Sequence, residues 1–171
     1  MSELRIWAPS ADKVEVELCG KRESMLAAGR GWWAILSNEL VHGADYALWI
    51  DGSGPYPDPR SSSQPFGVHG VSRWVDHAIF RWDDNSWQPP QLPDAIIYEL
   101  HIGTFTPEGT FESAITRLGK LKSLGITHIQ VMPVAEFAGK RGWGYDGVDL
   151  YAPHHGYGGP EGFKQLINAC H

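Results

Sequence analysis

The stretch IIYELHIGTFTPEGTFESAITRLGKLKSLGITHIQVM, Ile96 to Met132, decides the fold of this chain. IIYELHI, Ile96 to Ile102, reads as a strand. FESAITRLGKLKSLG then places Phe111, Ile115, Leu118, Leu121 and Leu124 at three-to-four-residue spacing, the period of one helix face. With Thr110 as N-cap and Gly125 as C-terminal stop, the spacing predicts a helix from Phe111 to Leu124. ITHIQVM, Ile126 to Met132, is the next strand. GPEGFKQLINACH, Gly159 to His171, begins a second helix, with Pro160 suited to its first position and Phe163, Leu166, Ile167 and Cys170 on one side. Strands alternating with helices imply a parallel sheet, which needs cover on both faces. A complete (β/α)8 barrel takes about 250 residues. Residues 96–171 hold only two β/α units, so the expectation is the start of an incomplete barrel in a piece of a longer protein.

Upstream the period changes. KVEVELC, Lys13 to Cys19, alternates strictly: Val14, Val16 and Leu18 fall on one face, Glu15 and Glu17 on the other. LRIWA before it, then GWWAIL (Gly31 to Leu36) and DYALWI (Asp45 to Ile50), have the same character and are separated by Gly, Asn, Asp or Pro. Residues 1–88 are therefore expected to form an antiparallel β-sandwich of immunoglobulin-like type, related to starch-binding modules by the resemblance described below. DGSGPYPDPRSSSQPFG, Asp51 to Gly67, is too rich in Pro, Gly and Ser to predict regular structure. WQPPQLPD, Trp87 to Asp94, sets the domain boundary, with residues 89–95 as a Pro-rich linker. Seven of the eight tryptophans precede residue 90, so the two halves are built differently.

The chain has 171 residues, enough for one ordinary domain, or one small domain and part of a larger one. A net charge of -6 with no basic run argues against nucleic acid or an anionic membrane as partner. MSELRIWAPS has no leader pattern and no run of about 18 apolar residues occurs, so a cytoplasmic location is expected. Cys19 and Cys170 lie far apart in no metal or redox spacing and are expected to be reduced, buried thiols.

GWGYDGVDLYAPHHGYGG, Gly142 to Gly159, gathers six glycines and four aromatic rings in eighteen residues. Glycine permits sharp turns and close backbone approach, and an aromatic face offers flat apolar area of the kind a sugar ring covers. A packed turn uses the same residues. The segment from Tyr98 to His171, above all HIGTFTPEGTF, MPVAEF and RGWGYDGV, resembles the opening of the catalytic barrel in the α-amylase superfamily of glycoside hydrolases. Within that superfamily it looks most like the maltooligosyltrehalose trehalohydrolases, and YPDPRSSSQPFGVHG is similar to their sandwich-to-barrel region. Glycogen branching enzymes are similar in the MPV and WGY regions but typically have Gln where this chain has Asp146.

The resemblance implies an enzyme, a glycoside hydrolase that cleaves the α-1,4 bond beside the trehalose end of maltooligosyltrehalose and needs no cofactor. A branching enzyme fragment and a non-catalytic glucan-binding module are the alternatives. It also implies that Tyr145 stacks on the sugar just before the cleaved bond, with Trp143 and Asp146 beside it as substrate-binding residues. Retaining hydrolysis needs two carboxyl groups about 5 to 5.5 Å apart. In the superfamily these follow later barrel strands, so no residue here is assigned a catalytic role and the chain alone is expected to be inactive. Glu136, Asp146 and Asp149 are read as turn-capping carboxylates. His154 and His155 are adjacent, so on an extended segment they point apart; with no third ligand in sequence they are read as loop residues holding no metal. Tyr98, Glu99 and His101 are expected to form hydrogen bonds within the barrel floor or rim, not to take part in chemistry. In the upstream half, only one of the neighbours Trp32 and Trp33 can face the core. Trp32, Trp33 and Trp49 are therefore weighed both as a sugar platform and as a domain contact.

Overall fold

The computed structural model describes residues 1–171. Its first half is two antiparallel sheets. One joins β1 (Ser2–Trp7), β5 (Trp32–Ser37) and β4 (Leu26–Gly29) in the order β1-β5-β4; the other joins β3 (Lys21–Ser24), β2 (Val14–Leu18), β6 (Asp45–Ile50) and β7 (Ser53–Tyr56), with β8 (Ser72–Arg73) also pairing with β6. The strict alternation of β2 sets which face is buried: Val14, Val16 and Leu18 have no exposed surface. They meet Leu4 and Ile6 of β1 and Tyr46 and Leu48 of β6 in one apolar cluster closed by Met25 and Leu40, so the two sheets pack face to face.

Short strands β3, β4 and β8 are absent from the sequence reading because four residues or fewer give almost no periodic signal. The Asp51–Gly67 stretch corrects the expectation of no regular structure, because Ser53–Tyr56 pairs with β6 before the loop begins. The loop itself is ordered by polar contacts. Asp58 is buried; it accepts hydrogen bonds from the Tyr46 hydroxyl at 2.8 Å and from the Arg60 N–H at 2.9 Å, and its own N–H donates to Ser72 Oγ at 2.8 Å.

Burial raises the Asp58 carboxyl above its ordinary 3.8, against the Arg60 N–H and the Tyr46 hydroxyl, which lower it. Folding therefore favours the protonated form. The contribution is complete below the ordinary value and is lost as pH rises through the raised one. Wild-type stability measured against Asp58→Asn is thus expected to fall as pH climbs above about 3.8, in paired denaturant titrations across the acid range. A difference that grows with pH contradicts this assignment.

In the second half, β9 (Ile97–Leu100) pairs in parallel with β10 (His128–Val131), as the alternation of elements requires. Between them lie α1 (Ile102–Phe105), α2 (Phe111–Ile115) and α3 (Leu118–Ser123). The expected single helix over Phe111–Leu124 is thus broken. Thr110 does cap it in a reciprocal capping box with Ser113. At the break, the Thr116 hydroxyl takes the Ser113 carbonyl at 2.7 Å and the Arg117 N–H reaches back only three residues, to Ala114. A side-chain hydroxyl competing for the helix carbonyl tightens this turn. Leu124, on the predicted apolar face, is exposed, and Gly125 ends the segment at φ 87°.

α4 (Gly159–Cys170) has Pro160 in its first turn and buries Leu166. Phe111, Ala114, Leu100, Ile102, Phe137, Tyr157 and Leu166 form the second core. The Pro-rich segment's upstream end docks on α4: Trp87 stacks on His171 at 3.9 Å, and the Asp83 N–H donates to Asn168. Both cysteines are free and exposed, correcting the expectation of buried thiols; each stands at the end of an element, where its neighbours do not cover it. No helix is long and apolar enough to cross a membrane.

Candidate functional site

Beyond β10 the chain forms β11 (Ala135–Glu136), a loop of glycines and rings, and β12 (Asp149–Pro153), which returns antiparallel to β11. The loop presents the two rings singled out by sequence. Trp143 is 80 % exposed and Tyr145 70 %. Both rings stand on one turn with their faces open to solvent.

Glycines shape this turn. Gly144 lies at φ 87°, and a Cβ there would fall 2.8 Å from the Pro133 carbonyl oxygen, a backbone atom with no room to yield. Gly142 packs equally closely on the Phe137 ring. The Trp143 N–H donates to Asp146 Oδ2 at 2.9 Å, so Asp146 braces the turn between the two rings. Left-handed backbone costs an L-residue about 1 to 2 kcal/mol before any clash. Gly144→Ala is therefore expected to destabilise the chain by about 2 kcal/mol and to disorder Tyr145, read as a lower denaturation midpoint together with altered loop amide resonances.

The loop is closed at its base by a buried carboxylate. Glu136, fully buried, accepts from the His155 N–H through Oε2 at 2.7 Å, while its Oε1 lies 3.0 Å from His154 Nδ1 and 2.8 Å from His155 Nδ1. Burial pushes the Glu136 carboxyl up, but the bonds from His154 and from the His155 backbone and ring outweigh it, and the net shift is downward. The pair of histidines corrects the sequence expectation: His154 is 1 % exposed, and both rings turn to the same oxygen. The extended alternation that would send them apart ends at Pro153, where the chain enters a single 3-10 turn, His155–Tyr157. His154 is wedged between Phe137, stacked at 3.8 Å, and Tyr157, edge-on at 4.8 Å. Nothing periodic in the sequence pointed to Glu136 as the partner of both. The only signal was the His-His pair directly after a strand.

Asp149 faces Glu136 across the β11/β12 pair but has a separate partner, Gln64 Nε2 at 3.5 Å; burial raises its carboxyl. The three carboxylates of this region, Glu136, Asp146 and Asp149, thus each serve a different local purpose. His101 sits on the other side of Tyr157, whose hydroxyl is 3.5 Å from Nε2, while Tyr98 and Glu99 stay exposed on β9. In the sandwich, Trp33 packs against the core and its Nε1–H donates to the Ala8 carbonyl. Trp32 lies beneath the guanidinium groups of Arg5 and Arg60, and Trp49 beneath that of Arg22 while donating to Glu17. Each of these rings is engaged by a neighbour, whereas Trp143 and Tyr145 are open.

No family model matches the chain. A curated malto-oligosyltrehalose trehalohydrolase of Arthrobacter ramosus is 46 % identical over 97 % of this chain, which covers 30 % of that relative. A 1,4-alpha-glucan branching enzyme of Vibrio parahaemolyticus is 30 % identical over 97 % of the chain, covering 25 % of the relative. Among solved structures, a Salmonella typhimurium protein provisionally assigned as an alpha amylase superposes with a TM-score of 0.94 at 45 % identity, over 98 % of this chain and 29 % of that one. The chain therefore spans under a third of the length of these relatives, and over nearly all of its own length it is similar to malto-oligosyltrehalose trehalohydrolases.

Proposed function

We propose that the chain is the N-terminal part of a glycoside hydrolase that cleaves the α-1,4-glucosidic bond next to the trehalose end of maltooligosyltrehalose, releasing trehalose in the cytoplasm. In this proposal residues 1–88 are the immunoglobulin-like sandwich, 89–95 the linker, and 96–171 the first two β/α units of a (β/α)8 barrel. The parallel pairing of β9 with β10 supports that barrel. Family identity across nearly the whole chain supports the activity, and the higher identity to a trehalohydrolase favours it over branching.

The observation that carries the site is the pair of open rings on the braced glycine loop. Tyr145 stacks on a glucosyl ring, Trp143 extends the same rim, and Asp146 holds the turn between them and offers its second oxygen to a sugar hydroxyl. No carboxylate of the chain is assigned the role of acid or nucleophile, since Glu136 is occupied by two histidines and Asp149 by Gln64. The chain alone is expected to bind maltooligosaccharide and not to hydrolyse it. A stacked ring contributes about 1 kcal/mol, roughly a fivefold change in affinity. Calorimetric titration with a maltooligosaccharide is expected to show Tyr145→Ala binding about fivefold more weakly than wild type. Equal affinity for both proteins removes Tyr145 from the rim.

A further inference from the structure

We propose that Glu136, His154 and His155 form a binding site for one divalent transition-metal ion of the zinc class. Three potential ligand atoms, one from each residue, lie within 4.8 Å of one another. Both imidazole Nδ1 atoms converge on Glu136 Oε1, at 3.0 and 2.8 Å. Metal–nitrogen and metal–oxygen bonds of about 2.0 to 2.2 Å, arranged tetrahedrally, place ligand atoms roughly 3.3 Å apart. An ion therefore enters when the two Nδ1–Oε1 separations lengthen by a few tenths of an ångström, the two imidazole nitrogens settle at the same spacing from each other, and the protons now shared with Oε1 leave.

The supporting surroundings are those of a built site. Oε2 is held by the His155 N–H at 2.7 Å, which fixes the carboxylate plane, and His154 is clamped between Phe137 and Tyr157. The side chain of His155 is 37 % exposed, so this ligand has freedom to adjust and the ion has a path inward. Two imidazoles with one carboxylate suit zinc, cobalt or nickel, and the nitrogen ligands disfavour calcium and magnesium. Three protein ligands leave a coordination position for water on the open side. The ligands come from the two ends of one loop: Glu136 precedes the segment bearing Trp143 and Tyr145, and the histidines follow it. A bound ion thus closes that loop at its base.

The test uses the untagged chain, stripped with a chelator and titrated with Co2+ while visible absorption and thermal unfolding are followed. One equivalent is expected to give the absorption of a low-coordinate site, to be displaced by Zn2+, and to raise the melting temperature. In His155→Ala the affinity is expected to drop by more than about 100-fold, beyond what loss of an outer hydrogen-bonding partner causes. Where alanine lowers the metal-free melting temperature, His155→Gln keeps an N–H for Oε1 without the imidazole and is expected to lose binding equally. Absence of a cobalt spectrum and of a thermal shift in the wild type overturns the proposal, leaving a carboxylate satisfied by protons alone. Binding that both variants retain overturns it as well, because the ion then sits elsewhere.

Discussion

Glu136→Ala, in metal-free buffer, is expected to lower the unfolding free energy by about 3 to 5 kcal/mol, since each hydrogen bond to a carboxylate contributes about 1.5 to 3 kcal/mol and buried donors left without it lose that bond. One carboxylate holds three groups: the His154 ring, the His155 ring and the His155 N–H. Alanine leaves the His154 ring and its neighbouring amide without an acceptor, and an unsatisfied buried donor costs its full desolvation. His154 cannot turn to water, being stacked on Phe137 and only 1 % exposed. Glu136→Gln keeps one carbonyl acceptor and is expected to lose less, on the order of 1 to 2 kcal/mol. Urea denaturation followed by far-ultraviolet circular dichroism checks both. Equal and small losses in the two variants refute the view that this carboxylate closes the loop.

Phe111→Ala is expected to be comparably severe, about 3 to 5 kcal/mol, through transfer and cavity terms. Phe111 has no exposed surface, and its ring sits 5.2 Å from Phe163 and 6.1 Å edge-on from Tyr157. Gly158 and Gly162 bring the start of α4 against the same ring, so truncation opens a void between α2 and α4. The resulting freedom of Tyr157 reaches His154, which that tyrosine abuts. The measurement is again the denaturation midpoint, with the near-ultraviolet signal reporting the aromatic cluster. Phe111→Leu, which leaves a smaller void, is expected to lose substantially less; an alanine variant as stable as the leucine one means the helices close over the gap.

The two kinds of effect reflect how differently this chain's parts were legible. β2 was readable because five residues alternate without exception and one face is buried. The N-cap at Thr110 and the stop at Gly125 were readable because caps obey local chemistry. The helix break at Thr116 was not, since a threonine is compatible with a helix until its hydroxyl finds the Ser113 carbonyl. The same applies to the Ser53–Tyr56 strand, where a cluster of turn residues pairs only because β6 offers an edge.

The candidate site divides in the same way. Tyr145, Trp143 and Asp146 stand within four residues of one another amid glycines, and their neighbourhood is a property of the sequence itself. The convergence of Glu136 with His154 and His155 spans eighteen residues or more and depends on β11 pairing with β12. Sequence by itself determined the alternation of the longer strands with helices, the buried face of β2, the cap and the ring-bearing loop, because each rests on spacing between near neighbours. Tertiary structure alone decided which way His154 and His155 point and what they meet, because a side chain's direction after a strand ends is set by the turn that follows and by the partner another strand brings to it.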